Sequence, residues 1–275
     1  MSYSTLMVNL ALRRPNTVVL GVARAMAARF QAGVVGVAVG QPMQLAYGDG
    51  YVYPDLIDQD RHQLDTDIAT AAAEFHAAFA GHAGYLEWRA SVVLTSLSGY
   101  IVDQARCADL LITGVTSSSL LEDPPQLSTG ELVMQAGRPV LIVPGGAAPP
   151  ALSHVLVGWK DTRETRRAAV DALPMLRKAA RVTVVEIAAE AALDDTRGRL
   201  DDVAAWLGRH GIEAETLAAP STGDDPGMLQ VIASDLGADL VVAGAYGHSR
   251  VREWVLGGVT RDLLLHSGRC ALLSH

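Results

Sequence analysis

The residues of this chain best suited to chemistry lie between 244 and 260, which read Gly-Ala-Tyr-Gly-His-Ser-Arg-Val-Arg-Glu-Trp-Val-Leu-Gly-Gly-Val-Thr. The stretch follows the apolar, strand-like run Leu240-Val241-Val242-Ala243 and leads into a helical pattern over 258–266. Glycines let a backbone turn through positive φ and come close to a ligand, and the unpaired N–H groups at the start of a helix attract negative charge. Gly244, Gly247 and Gly257, spaced Gly-x2-Gly-x9-Gly, with Gly258, Val259 and Thr260 after them, are therefore the candidate anion site. His248, beside Ser249, Arg250 and Arg252, is placed to bind a phosphate or to assist slow hydrolysis, but no carboxylate is identifiable to activate it. No Gly-x4-Gly-Lys-Ser/Thr, no Gly-x-Ser-x-Gly and no paired Cys or His spacing is present, which disfavours a P-loop ATPase, a serine hydrolase and a zinc site.

The elements that must position this loop are legible because the chain says nearly everything twice. Ala108-Asp109-Leu110-Leu111-Ile112-Thr113-Gly114 recurs about 130 residues on as Ala238-Asp239-Leu240-Val241-Val242-Ala243-Gly244, and Gln135-Ala136-Gly137-Arg138-Pro139-Val140-Leu141 recurs as His266-Ser267-Gly268-Arg269-Cys270-Ala271-Leu272. The openings of the copies, at Thr5 and His154, lie about 149 apart, so the first copy carries an insert, placed near 41–60. A repeat this long is a whole domain. The expected domains are 1–144 and 153–275, joined by a Gly/Pro linker over 145–152. Each copy shows five short, branched apolar runs, mostly separated by helical patterns, as expected for parallel strands covered on both faces and joined by right-handed crossovers.

In such sheets ligands sit outside the carboxyl ends of the strands, where strand order reverses. The loop after the first strand of the second copy, Lys160-Asp161-Thr162-Arg163, therefore belongs with the glycine loop. Lys160 offers a point charge to a phosphate, and Thr162 offers a hydroxyl or simply caps the next helix; both readings stay open here. In the first copy Ser117 replaces the second glycine, acidic and proline residues fill 118–125, and Glu131 follows Gly130, so that half is expected to be structural or to bind something else. Tyr47-Gly48-Asp49-Gly50-Tyr51-Val52-Tyr53, within the insert, reads either as a self-packing loop over the first copy's cleft or as three tyrosines lining a pocket or a partner surface.

On the spacing of Gly244, Gly247 and Gly257, the chain resembles the universal stress protein family along essentially its whole length, in a tandem form. The resemblance implies an α/β fold: two tandem open five-stranded parallel sheets with helices on both faces, packed as an internal pseudo-dimer. It implies ATP or a related nucleotide, with Mg accompanying it, bound by Gly244, Gly247, Gly257, Gly258, Val259 and Thr260. Two positions depart from the family pattern: Gly258 stands where Ser or Thr is usual, and Lys160 stands where an Asp is usual. The function implied is a stress-response module acting through conformation or contact with an unidentified protein partner. A nucleotide-independent interaction platform and a slow ATPase or phosphotransferase using His248 are the alternatives.

A net charge of -8 disfavours a general nucleic-acid binder. No apolar run reaches membrane-spanning length and no signal-like segment opens the sequence, so the expectation is a cytoplasmic protein, with homodimerisation an open option. Cys107 and Cys270, each beside an apolar run, are expected to be reduced and buried.

Overall fold

A computed structural model describes residues 2–43, 54–115, 127–245 and 268–275. The first half runs β1 (Thr5–Asn9), α1 (Thr17–Phe30), β2 (Gly33–Gly40), α2 (Pro54–Ala78), β3 (Leu86–Val92), α3 (Leu97–Ala105), β4 (Leu110–Gly114), α4 (Thr129–Gln135) and β5 (Val140–Val143). The second runs β6 (His154–Gly158), α5 (Arg163–Leu176), β7 (Arg181–Ala188), α6 (Leu193–Arg209), β8 (Glu215–Pro220), α7 (Asp225–Asp235), β9 (Leu240–Gly244) and β10 (Cys270–Ser274), with a short 3₁₀ turn over Glu190–Ala192.

Local chemistry sets these boundaries. Ser96, Ser128, Thr162 and Asp224 cap α3, α4, α5 and α7, each side chain accepting a hydrogen bond from the backbone N–H three residues on. Pro226 lies in the first turn of α7, where its missing N–H costs nothing. The inner strands β1, β4, β6 and β9 are buried almost throughout, because α1, α2, α5 and α6 cover one sheet face while α3, α4 and α7 cover the other.

The ten strands form a single sheet in the order β3-β2-β1-β4-β5-β10-β9-β6-β7-β8. The two five-stranded sheets expected from the repeat are thus halves of one continuous sheet. Within each half all pairings are parallel, and the halves meet through antiparallel pairing of β5 with β10, where Leu141 stands opposite Leu272. The repeat could not show this joint, since an edge pairing between copies leaves no mark on the offset. Around it, the Tyr3 hydroxyl donates to the Asp171 carbonyl at 2.6 Å, the Ser274 hydroxyl is 2.9 Å from Asp171 Oδ2, and Arg167 donates to the Gly137 carbonyl at 2.8 Å. Burial, reinforced by the negative charges of Asp171 and Asp109, pushes the Tyr3 phenol far above its ordinary value. The connection between halves is held by Arg29, which donates to the Pro150 carbonyl at 2.8 Å.

One expectation about the thiols is corrected. Cys270 is buried in β10, and burial, with Asp239 nearby, pushes its thiol up to about 12. Cys107 is exposed, because it falls in the turn after α3 rather than on the strand that follows.

Candidate functional site

Strand order reverses between β1 and β4 in the first half and between β6 and β9 in the second, so each half has its own carboxyl-end cleft. In the second half, β6 ends at Gly158, paired with Ala243 of β9, and the chain continues as Trp159, Lys160, Asp161 and Thr162 into α5. Lys160 is exposed and, among the described residues, its ammonium meets no hydrogen-bonding or ionic partner. Asp161 accepts from Arg166 at 2.7 Å, an exposed pair of small energetic weight.

Thr162 acts as a cap: its Oγ1 accepts from the Thr165 N–H at 3.3 Å and lies 3.2 Å from Thr165 Oγ1. Glu164, in the first turn of the same helix, is 4% exposed and tied to Arg163. Burial, the largest influence on its carboxyl, acts upward. Hydrogen bonds from Arg163, from its own backbone N–H and from Thr162 outweigh it and hold the group below its ordinary value. The helix start beneath the cleft therefore carries its own fixed negative charge.

Gly244 ends β9 against that same helix start. A Cβ placed there would lie 2.4 Å from the Thr165 nitrogen and 2.7 Å from the Glu164 carbonyl carbon, so only glycine lets β9 and α5 come this close. Of the residues singled out from the sequence, the described part of the chain brings Lys160, Thr162 and Gly244 to one end of the sheet. Gly247, His248, Gly257, Gly258, Val259 and Thr260 lie outside the described residues, as do Ser117 with the 118–125 stretch and the Tyr47–Tyr53 segment.

The first half fills the matching positions. Asn9, at Gly158's place, donates to Thr113 Oγ1 at 3.1 Å inside the protein. Glu131, in the first turn of α4, donates its N–H to Ser128 Oγ, and its carboxylate accepts from Ser98 at 2.7 Å. A carboxylate thus occupies the helix start where an anion would otherwise be drawn.

Two residues at the cleft were not legible in advance. Glu186 of β7 is 6% exposed and accepts from Arg199 of α6 at 2.9 Å, while Arg199 also donates to Thr196 at 2.8 Å. The hydrogen bond to Glu186, followed by the charges of Glu186, Asp161 and Asp195, raises the Arg199 guanidinium against the opposing effect of burial. Inside the apolar run Val182–Ile187 a lone carboxylate looks like strand, yet a buried one needs a cation, and that need was the available signal. Among the described residues no group of His, Cys, Asp and Glu is arranged to hold a metal ion.

Comparison with solved structures identifies the fold that carries this cleft. A universal stress protein from Archaeoglobus fulgidus superimposes with a TM-score of 0.72, covering 98% of this chain and 97% of its own at 14% identity. The chain has the universal stress protein fold, twice over. A functionally unknown protein from Pseudomonas aeruginosa matches with a TM-score of 0.60 over 99% of this chain and 92% of its own, again at 14% identity. A half-length universal stress protein from Archaeoglobus fulgidus in complex with dAMP covers 52% of this chain at 18% identity, but at a TM-score of 0.35 that overlap is too slight to compare sites. No protein-family model and no curated protein matches the sequence. At such identities the universal stress protein fold is what is shared, and the cleft residues are this chain's own. Among the described residues no helix is long and apolar enough to cross a membrane.

Proposed function

We propose that this chain is a tandem universal stress protein that binds ATP or a related nucleotide in its second half, and acts in the stress response through conformation or contact with a protein partner. In this reading 1–144 is the degenerate domain, 145–152 the linker and 153–275 the binding domain, in a cytoplasmic setting. The observation that carries it is the asymmetry of the two clefts: polar side chains plug the first, while the second presents Lys160, without a side-chain partner among the described residues, beside a strand that runs into the glycine-spaced loop. Lys160 would meet a phosphate as a point charge, and the N–H groups of Gly258, Val259 and Thr260 would supply the anion-binding helix start. Any Mg ion would arrive with the phosphates.

Calorimetry with ATP tests this directly. Binding to the native chain that is lost in Gly247→Glu supports the nucleotide reading, since a carboxylate in the loop opposes the phosphates. A second reading, a nucleotide-independent platform, draws on Gly244, whose contact with Thr165 explains that glycine without any ligand. No heat with ATP favours the platform. Phosphate release that disappears in His248→Ala would instead make the protein an enzyme.

A further inference from the structure

The sheet ends differently on its two sides. At one end, β8 is held by the Ser221 N–H, which donates to the Ala188 carbonyl at 2.8 Å, so that the odd-numbered residues of β8 turn toward β7 and Thr216, Ala218 and Pro220 turn outward. Pro220 has no N–H to offer, and a further strand cannot be added there in full.

At the other end, β3 reads Leu86-Glu87-Trp88-Arg89-Ala90-Ser91-Val92, with neither proline nor lysine. Two bonds fix its phase: the Val34 N–H donates to the Tyr85 carbonyl at 2.8 Å, and the Val93 N–H donates to the Gly40 carbonyl at 2.9 Å. Odd-numbered residues therefore bond β2, while the N–H and C=O groups of Leu86, Trp88 and Ala90 point outward, where no group among the described residues meets them. Apolar side chains gather along the same edge, with Tyr85, Val92 and Leu94 exposed, Leu94 to 82%.

A row of unpaired backbone groups is a template for another strand, and the side chains say which one. Arg89 bonds Glu87, two residues away on one face, through Nε at 2.9 Å and Nη2 at 2.8 Å, and reaches Gln104 of α3 at 3.0 Å. Trp88, between them, faces α2, its ring 5.6 Å from that of Phe75. Turned antiparallel about a two-fold axis at Trp88, the strand meets its own copy with its outward groups answered: Trp88 lies opposite the partner's Trp88, and Leu86 opposite the partner's Ala90. The same axis sets Glu87 opposite the partner's Arg89 and Arg89 opposite the partner's Glu87, so the charges alternate in sign. An axis moved to Glu87 or to Arg89 would set like charges face to face, and the charge pattern thereby selects one register.

We infer that β3 is a homodimerisation edge: two copies of this chain pair antiparallel through Leu86–Ala90 and continue the ten-stranded sheet across a two-fold axis at Trp88. The antiparallel β5·β10 joint already uses this solution between the two halves. The pairing needs no nucleotide, so its failure would leave the proposed nucleotide site untouched.

Sedimentation of the full chain over a range of concentrations tests this, the expected species at the upper end being a dimer of 29.0 kDa chains. Glu87→Arg and Arg89→Glu should each weaken dimerisation by about tenfold or more, since each sets like charges opposite one another across the axis. Mixing the two variant chains should recover the dimer, as should combining both substitutions in one chain, because opposite charges then face each other again. Hydrogen exchange gives a second reading on the native chain: the amides of Trp88 and Ala90 should gain protection as concentration rises, while those of Glu87 and Arg89, bonded to β2, should not change. A chain that stays monomeric, single variants that dimerise as the native chain does, or folded variants whose mixture recovers nothing would each overturn the inference. Should a variant fail to fold, the exchange pattern decides alone, and protection at Trp88 and Ala90 that ignores concentration overturns it equally.

Discussion

Two halves with one topology solve the problem of their carboxyl ends differently. The first spends side chains on it: Asn9 bonds Thr113 across β1 and β4, and Glu131 sits on the start of α4. The second spends backbone: Gly158 and Ala243 take the places of Asn9 and Thr113, Leu229 packs against Gly158, and Gly244 lets β9 touch the first turn of α5. A side-chain plug is self-contained and leaves little for a ligand to do. A bare backbone end leaves room for the charges beside it, here the exposed Lys160 together with the ion-paired Asp161 and Glu164. The fold therefore guarantees a cleft, while its contents decide whether the cleft can act.

The largest effect should come from testing whether the halves are independent at all. Leu272→Asp puts a charge opposite Leu141 in the fully buried β5·β10 joint, which should cost several kcal/mol. Circular dichroism in urea should show both halves lost in one transition; survival of a half-amplitude signal would mean that each half stands alone.

A matched pair of glycine changes sharpens the comparison of backbone against side chain. Gly244→Ala forces a methyl into the α5 backbone at 2.4 Å, whereas the same change at Gly114 meets Val19 Cγ2 at an ordinary 3.4 Å. The first should lose about 3 kcal/mol and the second less than about 1, read from urea midpoints. Equal losses would erase the distinction between the strand ends.

The polar plug of the first half comes next. Asn9→Leu removes the donor to the buried Thr113 Oγ1, whose hydroxyl keeps its 3.3 Å bond to the Gly114 carbonyl, and should cost about 1 kcal/mol, while adding Thr113→Val should return part of it. A double-mutant cycle measures the coupling, and its absence would mean that the pair contributes no more than its shape.

The last effect is absent at neutral pH and grows in alkali. Cys270 and Tyr3 keep their protons in the folded chain well above their ordinary values. Both groups have raised folded values, so their contribution is fully present below the unfolded values and is lost as pH rises. Stability should fall by about 1.4 kcal/mol per pH unit above about pH 9 on account of Cys270, and by about as much again per unit above about pH 10 on account of Tyr3. Urea midpoints between pH 8 and 11 check the slope, and Cys270→Ala should flatten part of it. Exposed Cys107 should react with a thiol reagent in the native state, and Cys270 only on unfolding.

Much of the architecture was legible because parallel strands buried on both faces must be short branched runs, and the repeat located each one twice. The cap at Thr162, one of the two readings its hydroxyl allowed, was legible for the same local reason that it forms. What escaped the sequence depends on distance along the chain. The β5·β10 joint pairs segments about 130 residues apart, the constraint on Gly244 comes from Thr165, and the partnership of Glu186 with Arg199 spans a strand and a helix. Gly244 is the instructive case: the phosphate reading and the packing reading ask for the same residue type, and only the neighbour at 2.4 Å brings the second to light.

The antiparallel joint has an evolutionary reading as well. Two identical subunits meeting edge to edge would carry every mutation twice, so a carboxylate that silenced one cleft would silence both. Here a single polypeptide supplies both partners in fixed one-to-one proportion, and each can change alone. Glu131 can close one pole while Lys160 stays available at the other, because covalent fusion has released the pair from its own symmetry.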